Sequence, residues 1–186
     1  MKINCYYLIT LLLITGVAFG SINPIPVTAA TIEWKGYKIA YERWGTIELE
    51  SGELDFEDGI LTGGNFVVDM TTIKVTSLEG GKKANLEKHL RSDDFFGVKQ
   101  YPNATMVITA VEKNSDGYNV TGDFTIKGQT HPVIFPMSID GNMAIAKVKI
   151  DRSKYNVRYG SGSFFENLGD KLILDDIELE VTLVIM

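Results

Sequence analysis

Two histidines, one cysteine and a scatter of carboxylates are the groups in this chain best suited to covalent or metal chemistry. Such chemistry needs fixed spacings, because the reacting lone pairs must converge on one point. Neither His89 nor His131 has a second histidine or cysteine at i+2 or i+4. His89 closes a candidate helix, where a donor or cation suits the last carbonyls, and reads as a cap or surface residue. Gly160-Ser161-Gly162-Ser163 lacks the G-x-S-x-G order of a nucleophile elbow and reads as a flexible turn. Gly80-Gly81-Lys82-Lys83 lacks the upstream glycine and the Ser or Thr of a phosphate loop. Asp93-Asp94 and Asp175-Asp176 are the ligand type that calcium takes, but adjacent acids are more simply solvated or capping groups. Glu42, Asp69 and Glu166 could serve acid–base chemistry if the fold brought two together, and nothing in their spacing does so. No catalytic, metal or cofactor site is expected, and the chain does not read as an enzyme. A net charge of −6 without clustered Lys and Arg excludes a nucleic-acid partner.

The richer signal is apolar. Phe95, Phe96, Tyr101, Phe124, Phe135, Tyr155, Tyr159, Phe164 and Phe165 crowd the middle and late chain. They either fill a core or line a cavity, since a barrel of about eight strands can do both.

The elements that must position these residues read as strands. In Tyr118–Lys127, Tyr, Val, Gly, Phe and Ile alternate with Asn, Thr, Asp, Thr and Lys, the pattern of a half-buried strand. Ile177, Leu179, Val181, Leu183 and Ile185 repeat it. Further strands are expected over 44–50, 54–61, 65–70, 104–112, 133–139, 143–151 and 154–160. Turns are expected at Ser51-Gly52, Asp58-Gly59, Gly63-Gly64, Asn114–Gly117, Lys127-Gly128 and Asp140–Asn142. Pro132 and Pro136 mark their strand as an edge or a bulged one. One helix is expected over 83–91, with Leu86 and Leu90 on one face and a Glu87–Arg91 pair. Roughly nine short strands with hairpin-length connections predict an all-β antiparallel sandwich or barrel. At 186 residues the chain is one domain.

The first thirty residues read as separate from that domain. After Lys2 no charge occurs until Glu33, and the apolar block Tyr6–Gly20 gives the pattern of a secretory signal peptide. Cleavage after Gly20 or after Ala30 fits the small-residue rule; residues 1–30 read as signal peptide and N-terminal linker, and residues 31–186 as the barrel domain. An uncleaved anchor is the competing reading, opposed by the absence of a basic stop-transfer cluster and by Pro24 and Pro26. Cleavage also removes Cys5, the only thiol.

Two segments then point to a family. His89-Leu90-Arg91-Ser92-Asp93-Asp94-Phe95-Phe96, followed by Lys99-Gln100-Tyr101-Pro102, is similar to an H-L-R-S-x-D-F-F…K-Y-P segment of the YceI-like proteins. Val120-Thr121-Gly122-Asp123-Phe124-Thr125-Ile126-Lys127-Gly128 with Thr130-His131-Pro132-Val133 resembles that family's V-x-G-D-L-T-I-K-G-x-T-K-P-V, in the same order and spacing. The resemblance implies a lipocalin-like antiparallel β-barrel of about eight strands with one short helix, exported to the periplasm or beyond. It implies a polyisoprenoid or similar long-chain lipid as ligand, and homodimers. From their place in alternating strands or in these two segments, Phe66, Phe95, Phe96, Met106, Ile108, Phe124, Ile126, Phe135 and Tyr155 are expected against the lipid tail, with Arg91 and Tyr101 as donors to its head. Two departures stand out: Leu86-Glu87 replaces the Arg-Asp ahead of the H-L-R-S run, and Arg43 stands where relatives often carry a histidine.

Overall fold

The computed structural model describes residues 21–186. Eight antiparallel strands run up and down and close into one barrel, with the first strand pairing the last. They are β1 (Asn23–Lys38), β2 (Glu42–Glu57), β3 (Ile60–Val75), β4 (Asn103–Asn114), β5 (Gly117–Ile126), β6 (Gln129–Asp140), β7 (Met143–Asp151) and β8 (Ile173–Ile185). One α-helix, α1 (Gly80–Arg91), lies between β3 and β4, and a short 3₁₀ turn, Arg152–Tyr155, follows β7.

The alternation that predicts β5, β7 and β8 holds, because one face of each strand looks into the barrel. In β7, Ala144, Ala146, Val148 and Ile150 are buried while Met143, Ile145, Lys147 and Lys149 are exposed. Several boundaries differ. The expected strand 44–50 and the first part of the expected strand 54–61 belong to one long strand, β2, with Ser51-Gly52 inside it, while residues 58–61 are the hairpin turn and the start of β3. Gly52 is needed there because the Phe66 ring lies across it; a Cβ would sit 2.6 Å from Phe66 Cδ1. Gly63-Gly64 likewise lies inside β3. Segment 154–160 is not a strand. The N-terminal boundary also moves, since Asn23–Ala30, read as a linker outside the fold, are part of β1. The expected signal block, residues 1–20, lies outside the described residues.

Prolines sit where a strand pairs on one side only. Asn23–Pro26 pair with β2 before contact with β8 begins at Val27. Pro132 and Pro136 pair with β5, whereas β7 joins β6 only from Met137 onward. A missing N–H costs little in a ladder that is not continued.

Near one end the barrel wall has two gaps, and each is filled by a different device. β3 pairs with β4 only through Asn65–Asp69 and, beyond the Met70 N–H bond to Pro102 O (2.8 Å), its stretch up to Val75 is left with an unpaired side. There α1 supplies polar side chains in place of a strand. Lys83 Nζ donates to Val75 O (2.6 Å), Val75 N donates to Glu87 Oε1 (2.9 Å), and an Arg91 Nη2–H donates to Ile73 O (2.5 Å). These residues recur every four positions on one helix stripe. Glu87 thus pairs with Lys83 (3.2 Å) rather than with Arg91. The second gap, between β6 and β7, is closed by the Arg152–Tyr155 turn, whose Tyr155 ring packs edge-on against His131.

The opposite end is filled. Leu54, Leu61 and Val120 are fully buried there, close to the hairpins at Asp58-Gly59 and Asn114–Gly117.

Candidate functional site

Inward-facing residues of the strands and the cavity-facing side of α1 enclose a cavity of about 570 Å³, a size within the range of small-ligand sites. Its walls are overwhelmingly apolar. β1 contributes Ile32 and Trp34, β2 Ile47 and Leu49, β3 Phe66, Val68 and Met70, and β8 Ile177, Leu179, Val181 and Leu183. Trp34 covers its one polar atom by donating Nε1–H to Thr46 O at 3.3 Å. Phe124 and Phe135 meet edge to face, 5.9 Å between ring centres.

The cavity reaches the end where α1 and the β1–β2 turn lie. Tyr37, Lys38, Tyr41 and Arg43 line it from that turn, and Lys82, Asn85, Leu86 and His89 from α1. Tyr37 donates its hydroxyl to Glu178 at 2.5 Å, and that bond to a carboxylate pushes its phenol up to about 12. Tyr155 donates to His131 O at 3.4 Å, and burial is the main cause pushing its phenol up to about 12.

Of the residues expected at the site, Phe66, Phe95, Phe96, Met106, Phe124, Ile126, Phe135 and Tyr155 all line this cavity. Three do not. Ile108 points inward but lies deeper, among the side chains that fill the closed end; a Cβ on Gly64 would touch it at 3.3 Å. Arg91 does not line the cavity: one of its guanidinium donors bridges to Ile73 O across the gap in β3, and its Nε is buried without a partner among the described residues. Tyr101 packs its ring over Gly97 and Gly128 instead.

His89 departs from its reading as a cap. Ser92 takes that role, donating both N–H (3.1 Å) and Oγ–H (2.7 Å) to His89 O. The imidazole turns to the cavity, edge-on to Tyr159 at 4.3 Å and to Phe95 at 5.8 Å. Its Nε2 is buried without a hydrogen-bond partner among the described residues.

The long connection from β7 to β8 is held by one buried cation, Arg152, which is 1% exposed. It donates to Leu174 O (3.1 Å), Val157 O (2.9 Å), Tyr159 O (3.0 Å) and Ile173 O (3.0 Å), and lies 3.2 Å from Asp175 Oδ1. Burial draws its pKa down, and Asp175 opposes that. Ser161 and Ser163 donate to the other oxygen of Asp175 at 2.9 and 2.7 Å. The serine-glycine segment is therefore an anchored loop with Ser161 fully buried. Lys127 does similar work beside it, donating to Asp93 O (2.8 Å), Phe95 O (2.7 Å) and Asn156 O (3.3 Å). This fixes the Phe95-Phe96 turn, whose rings meet edge to face at 4.9 Å, against the barrel.

Sequence reasoning missed the cavity walls from β1, β7 and β8. The legible sign was small residues at inward positions, Ala104 and Ala146, which leave room that a solid core would fill. Glu42, Asp69 and Glu166 do not line the cavity. Asp69 Oδ1 instead accepts from Thr71 N at 2.8 Å, and Glu42 lies 3.9 Å from Lys35.

Fold and cavity together define a class: closed antiparallel barrels that enclose a ligand-sized apolar interior rather than a solid core. A family profile described as YceI-like domain matches residues 25–185, and the chain belongs to that family. Protein YceI of Escherichia coli O157:H7 is 41% identical over 70 residues, 38% of this chain and 36% of that protein. A UPF0312 protein of Pseudomonas putida is 32% identical over 117 residues, 60% of this chain and 57% of the relative. The first of these alignments thus spans about a third of the curated relative's length. Among solved structures, Burkholderia cenocepacia BcnA superposes with a TM-score of 0.65 at 21% identity, covering 83% of this chain and 95% of its own. A Saccharophagus degradans structure described as a polyisoprenoid binding domain superposes at 0.55 with 11% identity, covering 89% and 98%. At these identities the superpositions speak for the fold.

Proposed function

We propose that this barrel holds a polyisoprenoid or similar long amphiphile in its cavity, as a binding protein rather than an enzyme. The cavity carries the reading: an apolar space of about 570 Å³ is enclosed by the strands and reaches their α1 end. Each methylene withdrawn from water into such walls is worth roughly 0.8 kcal/mol gross. A few five-carbon units then offset the cost of association and reach micromolar affinity. Membership of the YceI-like family and the polyisoprenoid-binding neighbour support the same ligand class.

The protein acts outside the cytoplasm, its N-terminal block serving as the export signal. Cleavage after Gly20 keeps β1 whole, whereas cleavage after Ala30 removes Asn23–Ala30 from the ladders with β2 and β8. Homodimerisation accompanies this reading through the family. Expression of the full chain, cell fractionation, solvent extraction and mass spectrometry test the proposal. A long-chain lipid at near-stoichiometric yield in exported protein is the expected result. An empty protein that also refuses added isoprenoid quinone overturns it.

A further inference from the structure

Among the described residues, the charged ones that line the cavity are Lys38, Arg43, Lys82 and Arg152, with neither Asp nor Glu beside them. This reverses the balance of the whole chain, in which 24 acids outnumber 18 bases. Arg152 is accounted for by its four carbonyls and Asp175. The other three cations are not. Lys38 ends β1, Arg43 is the second residue of β2 and Lys82 lies in the first turn of α1, so all three belong to the open end.

Lys38 and Arg43 share the ring of Tyr41, with Lys38 Nζ 5.5 Å and Arg43 Cζ 4.0 Å from its centre. Among the described residues Arg43 makes one hydrogen bond, to Glu42 O at 2.8 Å, which engages one of its five guanidinium donors. Among the described residues, none of the three cations is in an ion pair. Along α1, Lys82, Asn85 and His89 follow at i, i+3 and i+7 on the face lining the cavity. The last of them carries the unpartnered buried Nε2. Polar side chains therefore run from the rim inward along the helix, beside otherwise apolar walls.

We propose that the bound amphiphile carries an anionic head, a carboxylate or a phosphate ester, received by Lys38, Arg43 and Lys82 while its chain fills the barrel. This rests on the chain-binding reading and adds the chemistry of the head. Guanidinium and ammonium groups bind such oxyanions through charge-assisted hydrogen bonds. The three cations are partly exposed, so each contributes modestly; together they favour the anion by about tenfold.

Calorimetry of the full-length protein with dodecanoate, dodecyl phosphate, dodecanol and inorganic phosphate tests this. Both anionic amphiphiles should bind about tenfold tighter than dodecanol, with the gap narrowing at high salt. The triple variant Lys38→Gln/Arg43→Gln/Lys82→Gln should bind all three amphiphiles as the wild type binds dodecanol, with an unchanged unfolding midpoint. Lys82→Gln alone, at an exposed position, should lose about twofold for the anions only. Equal wild-type affinity for dodecanol and the anions overturns the proposal and leaves chain binding standing. A gap that persists in the triple variant does the same. Inorganic phosphate binding as tightly as dodecyl phosphate overturns it by revealing a simple anion site. If no amphiphile binds at all, the chain-binding reading falls, and the head-group proposal with it.

Discussion

The cavity volume sets a ceiling on the length of chain the barrel can enclose. At about 30 Å³ for a water-sized group, a volume close to that of a methylene, 570 Å³ accommodates roughly 19 carbons. Below that ceiling each added methylene contributes up to about 0.8 kcal/mol, a gain of up to about fourfold in affinity. Above it, further carbons stay in water at the open end and contribute little. Ala146 offers a way to move the ceiling, being 4% exposed, on the cavity wall, and paired with Met137 and Val181. Ala146→Leu adds three side-chain carbons, so the break should fall by roughly three carbons. The assay is calorimetric titration of wild type and variant with unbranched amphiphiles of one common head and rising chain length. A second readout comes from urea unfolding. In a solid core the added carbons would cost about 1–3 kcal/mol through overpacking, whereas at a cavity wall they should cost little. An affinity slope that continues well past the ceiling, or a break at the same length in both proteins, would refute the reasoning. So would a variant destabilised as a packed core predicts.

Three further outcomes follow from the polar anchors. Arg152→Met leaves four carbonyls and Asp175 without their buried cation, so urea unfolding should show a loss of about 3–5 kcal/mol; a loss within error would mean the loop is held by its other contacts. The Val75 N–H bond is the main cause holding the Glu87 carboxyl below its ordinary value of 4.5. Its contribution is present above that pH and disappears as pH falls through the lowered value. Glu87→Ala should therefore cost about 1–3 kcal/mol at neutral pH and flatten the acid limb, whereas Glu87→Gln keeps an acceptor and loses less. With Tyr155 raised to about 12 from an ordinary 10.0, the unfolded chain releases a proton in that window that the folded barrel keeps. Stability should decline from pH 10 to 12, with a shallower decline in Tyr155→Phe.

Much of the barrel is legible in the chain because a strand's period of two is local. The alternation in Tyr118–Ile126 and Ile177–Ile185, and the turns at Asp58-Gly59 and Asp140-Gly141, need no knowledge of distant residues. Ser51-Gly52 and Gly63-Gly64 misled for the opposite reason. Their glycines answer to neighbours across the sheet: the Phe66 ring at Gly52, and Glu53 O, 2.7 Å from a Cβ at Gly64. The Asn23–Ala30 part of β1 reads as linker because prolines and an uncharged stretch look like one until their partners on β2 and β8 are in place.

The candidate site divides along the same line. Composition and alternation by themselves determined an all-β chain with inward-facing apolar rows, and the two family-like segments determined which barrel it resembles. Whether those rows touch one another or surround a space was decided only in three dimensions. Ile108 and Met106 alternate identically, yet Ile108 fills the closed end and Met106 lines the cavity. The fate of each cation was likewise tertiary. Arg91 lies off the cavity and reaches the unpaired edge of β3, and Arg152 is taken up by the carbonyls of a long loop, while Lys38, Arg43 and Lys82 line the open end without an ion pair among the described residues. A residue's type fixes what it can donate, but the backbone groups brought within about 3 Å of it decide where that donor is spent.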